Sequence, residues 1–269
     1  MKKTLLKAYK FSNSWPGTII IVLVIIFFLA QAFRIPSGSM KDSLLVGDHL
    51  FAKKFAYGTP MPHIPFLEMS IMPWSDKLRL FDGDTPQRGD IVIFRPPHNT
   101  KQHFVKRCVA LAGDELFVLN KDLYVHQNEG DEWIKKEYAE YEIIVFDEKL
   151  WVKNPYTKIH PGIHHDDKII NDGRQPQELF NFAPIKIEKD NYFMMGDNRD
   201  HSNDSRFWGA VPYDNIEGTP WFIYFSVDEN WEIRWDRVGK TPTDLESPAH
   251  LDLAIKERIK EDKDDYGIY

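Results

Sequence analysis

The chain has 269 residues and a formal net charge of −7, with 28% charged and 14% aromatic residues. This length is enough for one or two domains with a hydrophobic core, and the many aromatic residues favour an ordered, β-rich fold. The basic residues form no long block, which argues against nucleic acid as a partner. Because Cys108 is the only cysteine, an intramolecular disulfide is excluded and packing must hold the fold together.

The N-terminal region has the pattern of a membrane anchor. Residues 1–14 contain four lysines and no acidic residue, and Trp15–Phe33 is an uncharged stretch of 19 residues. A helix needs about 20 apolar residues to cross the hydrocarbon layer of a bilayer. The lysines predict a cytoplasmic N-terminus, which places the rest of the chain on the periplasmic or extracellular face of the inner (plasma) membrane.

A cleaved signal peptide and a buried soluble helix are the alternatives to a membrane anchor for this stretch. A cleaved signal peptide would share the basic start, but residues 30–34 (AQAFR) give no A-x-A site in a clean small-residue context. The apolar stretch is also longer than the apolar core of most signal peptides. A buried soluble helix would carry a polar face, which is missing here. We therefore predict an uncleaved, single-pass anchor.

Strand patterns dominate the chain beyond the anchor, and no regular alternation of strands and helices appears. The fold class that this predicts is mainly β, with antiparallel or mixed pairing. The predicted strands are Asp90–Phe94, His103–Leu111, Glu115–Leu119, Leu123–Val125, Glu142–Phe146, Pro184–Ile187, Tyr192–Met195 and Trp221–Ser226.

The exported part divides into a catalytic core, an inserted lobe and a tail. The predicted bounds are 34–126 and 190–240 for the two parts of the core, 127–189 for the lobe and 241–269 for the charged tail. Prolines within residues 57–82 predict an irregular loop. In the tail, Leu251, Ile255 and Ile259 have the spacing of a solvated terminal helix.

Two residues stand out as chemical candidates. Ser39 follows the apolar stretch closely, and the neighbouring Gly38 leaves room for a substrate carbonyl. Lys106 lies in a predicted strand and shares a face with Phe104 and Cys108. Burial there would lower the lysine pKa, so that a neutral amine could accept a proton from a serine hydroxyl. Taken singly, a linker serine and a solvated edge-strand lysine explain the same patterns.

A third segment, Gly196–Gly209, packs many hydrogen-bonding groups directly after an apolar strand. Such a density is costly to fold unless the groups pair with each other, which indicates a functional loop or a structural polar network. Phe207 and Trp208 within it argue against a plain surface turn.

Together, these segments make the chain resemble the bacterial type I signal peptidases, the leader peptidase family of serine–lysine proteases. Their order and spacing agree over roughly residues 33–212, with the lobe only loosely matched. The motifs that carry the resemblance are Ser37–Met40, Arg88–Val92, Lys106–Arg107, Gly196–Asp200, Ser202 and Asp204–Arg206.

The resemblance implies a membrane-bound serine endopeptidase that cleaves N-terminal signal peptides from exported preproteins after small residues. It implies a largely β catalytic core with an additional β lobe, and it needs no metal or other cofactor. Its partners would be preproteins and membrane lipid, without nucleic acid. Ser39 would be the nucleophile and Lys106 the general base, while Ser37 Oγ and the Ser39 backbone N–H would form the oxyanion hole.

Supporting roles also follow from the resemblance. Ser202 would orient the Lys106 amine, Asp204 would pair with Arg206 to stiffen the polar loop, and Arg107 would be structural. The implied substrate pockets are lined by Phe33, Ile35, Met40, Leu44, Phe104 and Val105.

The chain departs from the family pattern at two positions. Asp42 stands where the family usually has proline, and Ala112 replaces the proline of a Leu-Pro-Gly-Asp sequence. Neither residue carries a proposed catalytic atom. The two departures therefore bear on the local backbone conformation and not on the proposed chemistry.

Rival functions remain at this point. They are a serine–histidine hydrolase using His103 or His201, a metal site at His160, His164, His165, Asp166 and Asp167, a related membrane protease with narrower substrates, and a non-catalytic anchored assembly protein. The presence of both Ser39 and Lys106 argues against the non-catalytic protein.

Overall fold

The computed structural model describes residues 9–25, 29–64, 69–70, 72, 79–247 and 250–251. Two β-sheets form the framework of the described chain, and every ladder between named strands in it is antiparallel. The fold is therefore mainly β, as the sequence predicts.

The larger sheet has seven strands in the order β1-β2-β16-β7-β8-β14-β15. Their bounds are Ala30–Arg34 (β1), Asp48–Lys53 (β2), Ile91–Phe94 (β7), Phe104–Ala110 (β8), Asn191–Met195 (β14), Val211–Pro212 (β15) and Ile216–Ser226 (β16).

The smaller sheet has five strands in the order β11-β12-β10-β9-β13. Their bounds are Glu115–Leu119 (β9), Asp122–His126 (β10), Ile143–Phe146 (β11), Lys149–Lys153 (β12) and Asn181–Lys186 (β13). The remaining elements are the short strands Thr59–Pro60 (β3), His63–Ile64 (β4), Met69–Ser70 (β5) and Arg79–Phe81 (β6), and the helices Trp15–Val24 (α1), Asp131–Glu137 (α2), Ser205–Trp208 (α3) and Pro242–Leu245 (α4).

The apolar N-terminal stretch is helical in its first part only. Helix α1 begins at Trp15, with Ser14 as its N-cap, but Ala30–Arg34 forms strand β1 instead of continuing a helix to Phe33 as predicted. The reason is pairing: β1 runs alongside β2, with Phe33 opposite Leu50, and the Phe33 ring packs on the core below. Among the described residues, no helix is both long and apolar enough to cross a membrane.

The hairpin β9–β10 joins the two sheets through a common core. It falls within the predicted first part of the catalytic core, 34–126, and it forms the centre of the smaller sheet. Side chains of the hairpin, including Leu116 and Val125, share one apolar cluster with Val109 and Phe193 of the larger sheet. This shared core explains why no polar linker marks the boundary.

The residues predicted as an irregular loop and as a charged tail are only partly described. The loop contains two short antiparallel pairs, β3 with β6 and β4 with β5. At the tail, helix α4 buries Leu245 completely, so its start is part of the packed core. The predicted helix at Leu251, Ile255 and Ile259 lies outside the described residues apart from Leu251.

Candidate active site

Ser39 lies in a single 3₁₀ turn, Gly38–Met40, that connects β1 to the rest of the larger sheet. The turn is anchored from below, because Met40 is buried in the apolar cluster. It is also held from the side: the backbone N–H of Asn198 donates to Ser39 O at 3.2 Å, and Asn198 Nδ2 donates to Gly38 O at 3.1 Å. The nucleophile candidate is therefore fixed by apolar packing and by the polar loop together.

Lys106 lies on β8, and its amine reaches the serine. Its Nζ lies 2.6 Å from Ser39 Oγ, and it also donates to Val105 O at 3.1 Å. Only 4% of Lys106 is exposed. Burial lowers the pKa of Lys106 to about 8; the carboxylates of Asp204 and Asp197 oppose this effect, and Arg206 adds to it. Near pH 8, the Lys106 amine is therefore neutral in a large share of the molecules.

The polar loop after β14 is a network of buried ion pairs. Asp204 forms a forked pair with Arg206, at 2.8 Å to Nε and 2.9 Å to Nη2, and accepts from the Gly196 N–H at 3.1 Å. Arg107 forms a similar fork with Asp197, at 2.8 Å and 2.6 Å. These contacts pair many of the hydrogen-bonding groups that the sequence concentrates in Gly196–Gly209.

The two other predicted serines occupy different positions. Ser37 Oγ lies 3.4 Å from Ser39 Oγ and is exposed, so a ligand could reach both. Ser202 is buried, but within the described chain no hydrogen bond joins it to Lys106; it lies beside the Asp204 carboxylate. It covers Gly196, where an added Cβ would lie 2.3 Å from Ser202 Oγ and 2.5 Å from Ser39 O. Glycine is therefore required at that position.

A cleft of about 580 Å³ opens above Ser39 and Lys106. Five of the six predicted pocket residues line it: Phe33, Ile35, Met40, Phe104 and Val105. Leu44 does not. It has 0% exposure and packs in the core behind the cleft, because its segment turns inward after Met40.

The cleft is also lined by Arg34, Pro36, Gln102 and Asn203, which the sequence did not indicate, and by His103 and His201, which it indicated only as rival bases. Their positions beside the predicted motifs, directly before β8 and inside the polar loop, were the available signal. Asn198 belongs to the Gly196–Asp200 motif, but spacing along the sequence does not indicate its contact with the Ser39 turn.

Comparison with known proteins gives the family. The family model for signal peptidase, peptidase S26, matches residues 10–225. The signal peptidase I of Helicobacter pylori is 41% identical over 279 residues, which cover 91% of this chain and 96% of that protein. The signal peptidase I of Rickettsia bellii is 32% identical over 242 residues, covering 84% and 76%. The chain belongs to the signal peptidase family.

A crystal structure of a signal peptidase I from Enterococcus faecalis also aligns with this chain. It gives a TM-score of 0.31 and 21% identity, and covers 51% of this chain and 97% of that one. The family assignment rests on the sequence matches.

The departure from the signal peptidase pattern at Asp42 has a structural counterpart. Asp42 has φ 76°, whereas proline is held near −65°, so this backbone excludes the usual proline. The Asp42 carboxylate is buried and lies 3.3 Å from His164 Nδ1. At the other departure, Ala112 O accepts a hydrogen bond from Asn128 Nδ2 at 2.9 Å.

The rival chemistry at histidine is less well placed than the lysine. His103 packs edge-on against Phe33, with ring centroids 5.0 Å apart, and His201 Nε2 lies 3.0 Å from Asp166 Oδ2. Neither ring forms a described hydrogen bond with Ser39.

The three histidines among the candidate metal ligands each pair with a different acidic residue. His160 pairs with Glu246 at 2.9 Å, whereas His164 and His165 pair with Asp42 and Asp200, each at 3.3 Å. In the part of the chain that the structure describes, no three His, Cys, Asp or Glu residues are grouped to hold a metal ion.

Proposed function

We propose that this member of the signal peptidase family cleaves signal peptides from exported preproteins by acyl transfer, with Ser39 as the nucleophile and Lys106 as the general base. The observation that carries the proposal is the 2.6 Å contact between Lys106 Nζ and Ser39 Oγ at the floor of an apolar cleft. A buried amine with a pKa of about 8 can accept the serine proton near neutral pH, which an ordinary lysine does poorly.

The reaction follows from these positions. Neutral Lys106 takes the proton of the Ser39 hydroxyl as Oγ attacks the scissile carbonyl carbon. The oxyanion would be stabilised by the Ser39 N–H and by the hydroxyl of Ser37. Protonated Lys106 then gives its proton to the leaving amine, and the C–N bond breaks to leave an acyl-enzyme. Water attacks the ester carbonyl carbon as Lys106 takes its proton; the C–Oγ bond then breaks, and Lys106 returns that proton to Ser39 Oγ, which restores the serine hydroxyl and the neutral amine.

The substrate preference would come from the walls of the cleft. Ile35, Met40 and Val105 are aliphatic walls close to the dyad, which suit a small side chain at the residue before the cut. In the same proposal, the lysines of residues 1–14 and the apolar Trp15–Phe33 stretch support a single membrane anchor with a cytoplasmic N-terminus. The cleft would then lie near the membrane surface, where signal peptides present their cleavage sites.

The test is cleavage of a purified preprotein by the detergent-solubilised full chain. We expect Ser39→Ala to abolish cleavage while the protein still binds the preprotein. Lys101→Ala, at an exposed position, is the matched control and should cleave normally. Wild-type activity of Ser39→Ala would refute the proposal and direct attention to another nucleophile.

The topology has its own test. Protease added to the outer face of spheroplasts should digest the domain that follows Arg34. Complete protection of that domain would refute the proposed orientation.

A further inference from the structure

The residues after the last long strand fold back onto the catalytic core. The N–H of Ile223 donates to Lys240 O at 2.9 Å, and the N–H of Gly239 donates to Ile223 O at 2.7 Å. Helix α4 then begins with a capping box between Thr241 and Asp244. This places Leu245 in the apolar cluster that also contains Met40, directly beneath the Ser39 turn.

The next residue, Glu246, brings a carboxylate into the buried ion-pair network. Its Oε1 accepts a short hydrogen bond from Arg107 Nη2, and its Oε2 lies 2.9 Å from His160 Nδ1. Arg107 is 1% exposed and also donates to Gly89 O at 2.6 Å, so its guanidinium is held on three sides by Glu246, Gly89 and Asp197. Glu246 therefore helps to set the orientation of Arg107, whose Nη2 it shares with Asp197 of the polar loop.

Arg107 connects this carboxylate to the serine. Its fork holds Asp197, whose Oδ2 also accepts from Ser43 Oγ at 2.5 Å. The residue after Asp197 is Asn198, which donates two hydrogen bonds to the Ser39 turn. The residue before Arg107 is Lys106, so the base is adjacent in sequence to a residue that Glu246 contacts, whereas Ser39 is reached through the hydrogen bonds of Asn198.

We propose that Glu246 is a positioning residue, which fixes Arg107 and, through it, the Asp197 loop so that Ser39 and Lys106 keep their contact. This inference rests on the proposed function, because it assigns Glu246 no role outside that dyad. Glu246 does not line the substrate cleft. Its loss therefore affects the catalytic step and leaves substrate binding unchanged.

The experiment compares full-length Glu246→Ala and Glu246→Gln with the wild type in a detergent-solubilised preprotein assay. Glu229→Ala, at an exposed turn, is the matched control. We expect Glu246→Ala to lower kcat about tenfold with KM changed less than about twofold, because small misplacements of reacting groups are costly. The midpoint of kcat against pH should rise as water reaches Lys106. Glu246→Gln keeps a side-chain carbonyl oxygen that can accept from Arg107, so its kcat should fall less than that of Glu246→Ala.

Thermal unfolding measured beside the kinetics separates positioning from stability. The inference is overturned if Glu246→Ala and Glu246→Gln, folded at the assay temperature, keep the wild-type kcat and pH midpoint. It is also overturned if kcat falls only in proportion to the folded fraction while the midpoint stays unchanged. Ser39→Ala, run in parallel, isolates the other failure: if that variant still cleaves, the proposed function is wrong, whatever the Glu246 variants do.

Discussion

Lys106 and Arg107 are adjacent cations on one strand, and their surroundings differ sharply. Both are buried, at 4% and 1% exposure. Arg107 contacts the carboxylates of Asp197 and Glu246, which raise its pKa although burial opposes this. Lys106 forms hydrogen bonds with the Ser39 hydroxyl and a backbone carbonyl and lies over the Phe104 ring, and burial lowers its pKa to about 8.

The difference shows how one strand supports both structure and chemistry. A buried cation with carboxylate partners stays charged and joins segments that are far apart in sequence. A buried cation without them loses its proton readily, which destabilises the fold but creates a base. Alternation along the strand sends the two neighbours into these different surroundings.

The largest expected effect comes from replacing Lys106 with arginine, the residue type of its neighbour Arg107. Lys106→Arg keeps the positive charge, but a guanidinium does not give up its proton in this pH range. We expect cleavage of a preprotein to fall by at least about 1,000-fold, the scale of losing a general base that acts as a unit with its nucleophile. Initial rates would be measured at pH 9, with Lys101→Arg as the matched control. Near-normal cleavage by Lys106→Arg would exclude the serine–lysine mechanism and make His103 and His201 the next candidates.

Breaking the paired cation should act on stability. Asp197→Asn leaves the buried guanidinium of Arg107 with one carboxylate fewer, and removing one partner of a buried pair costs about 3–5 kcal/mol. We expect the urea midpoint of the detergent-solubilised protein to fall accordingly. Asp172→Asn is the control, because its pair with Arg174 is on the surface and its loss should change the urea midpoint little. Equal midpoints for the two variants would show that the buried cluster does not stabilise the core.

Removing the unpaired cation should have the opposite effect. The pKa of Lys106 is about 8 in the folded chain against 10.5 for an ordinary lysine, which corresponds to about 3 kcal/mol at ~1.36 kcal/mol per pH unit. A lowered lysine pKa means that the charged form costs stability fully below pH 8, and that this cost disappears as pH rises from 8 to about 10.5. We therefore expect Lys106→Met to be more stable than the wild type at pH 7, and the difference to vanish above pH 10.5.

Urea unfolding at a series of pH values would measure this difference. Lys101→Met, at an exposed lysine, should show no such trend. A stability difference for Lys106→Met that is the same at pH 7 and at pH 11 would mean that packing, not charge, governs this position.

The sequence was enough to predict both residues of this comparison, Lys106 as the base and Arg107 as a structural residue. Period-two apolar patterns predicted the strand of Lys106, and the ordered motifs linked it to Ser39 before any geometry was available. Strand β1 was missed because Ala30–Phe33 continues the apolar stretch, so composition could not distinguish a helix from a strand. Composition gives no boundary near Glu115–His126, because this hairpin joins the smaller sheet through a core shared with the larger one.

Long-range contacts were beyond prediction for a related reason. Glu246 meets Arg107 across 139 residues, and nothing in the local sequence of either indicates the other. Leu44 illustrates the same limit for apolar residues: hydrophobicity predicts burial, but it does not tell whether a side chain faces the cleft or the core behind it.

The apolar part of the cleft gives a smaller expected effect. Ile35 and Val105 lie close to the dyad, and extra methylenes forced into a packed space cost about 1–3 kcal/mol. A preprotein with leucine in place of alanine before the cut should be cleaved about 5- to 150-fold more slowly. Val105→Ala should reduce this penalty without changing cleavage of the alanine substrate. Equal rates for the two preproteins with the wild-type enzyme would contradict the assignment of this pocket.

The smallest effect is the pH dependence of the wild type itself, and it tests the origin of the base directly. Because neutral Lys106 is the active form, kcat should rise about tenfold per pH unit below pH 8 and level off above it. Between pH 7 and pH 9 the total increase is about tenfold. If burial rather than a neighbouring charge sets this midpoint, it should change little between low and high salt, since buried groups are screened weakly. A midpoint near pH 6.5 would instead indicate a histidine as the base, and a midpoint near 10.4 would indicate a solvated lysine.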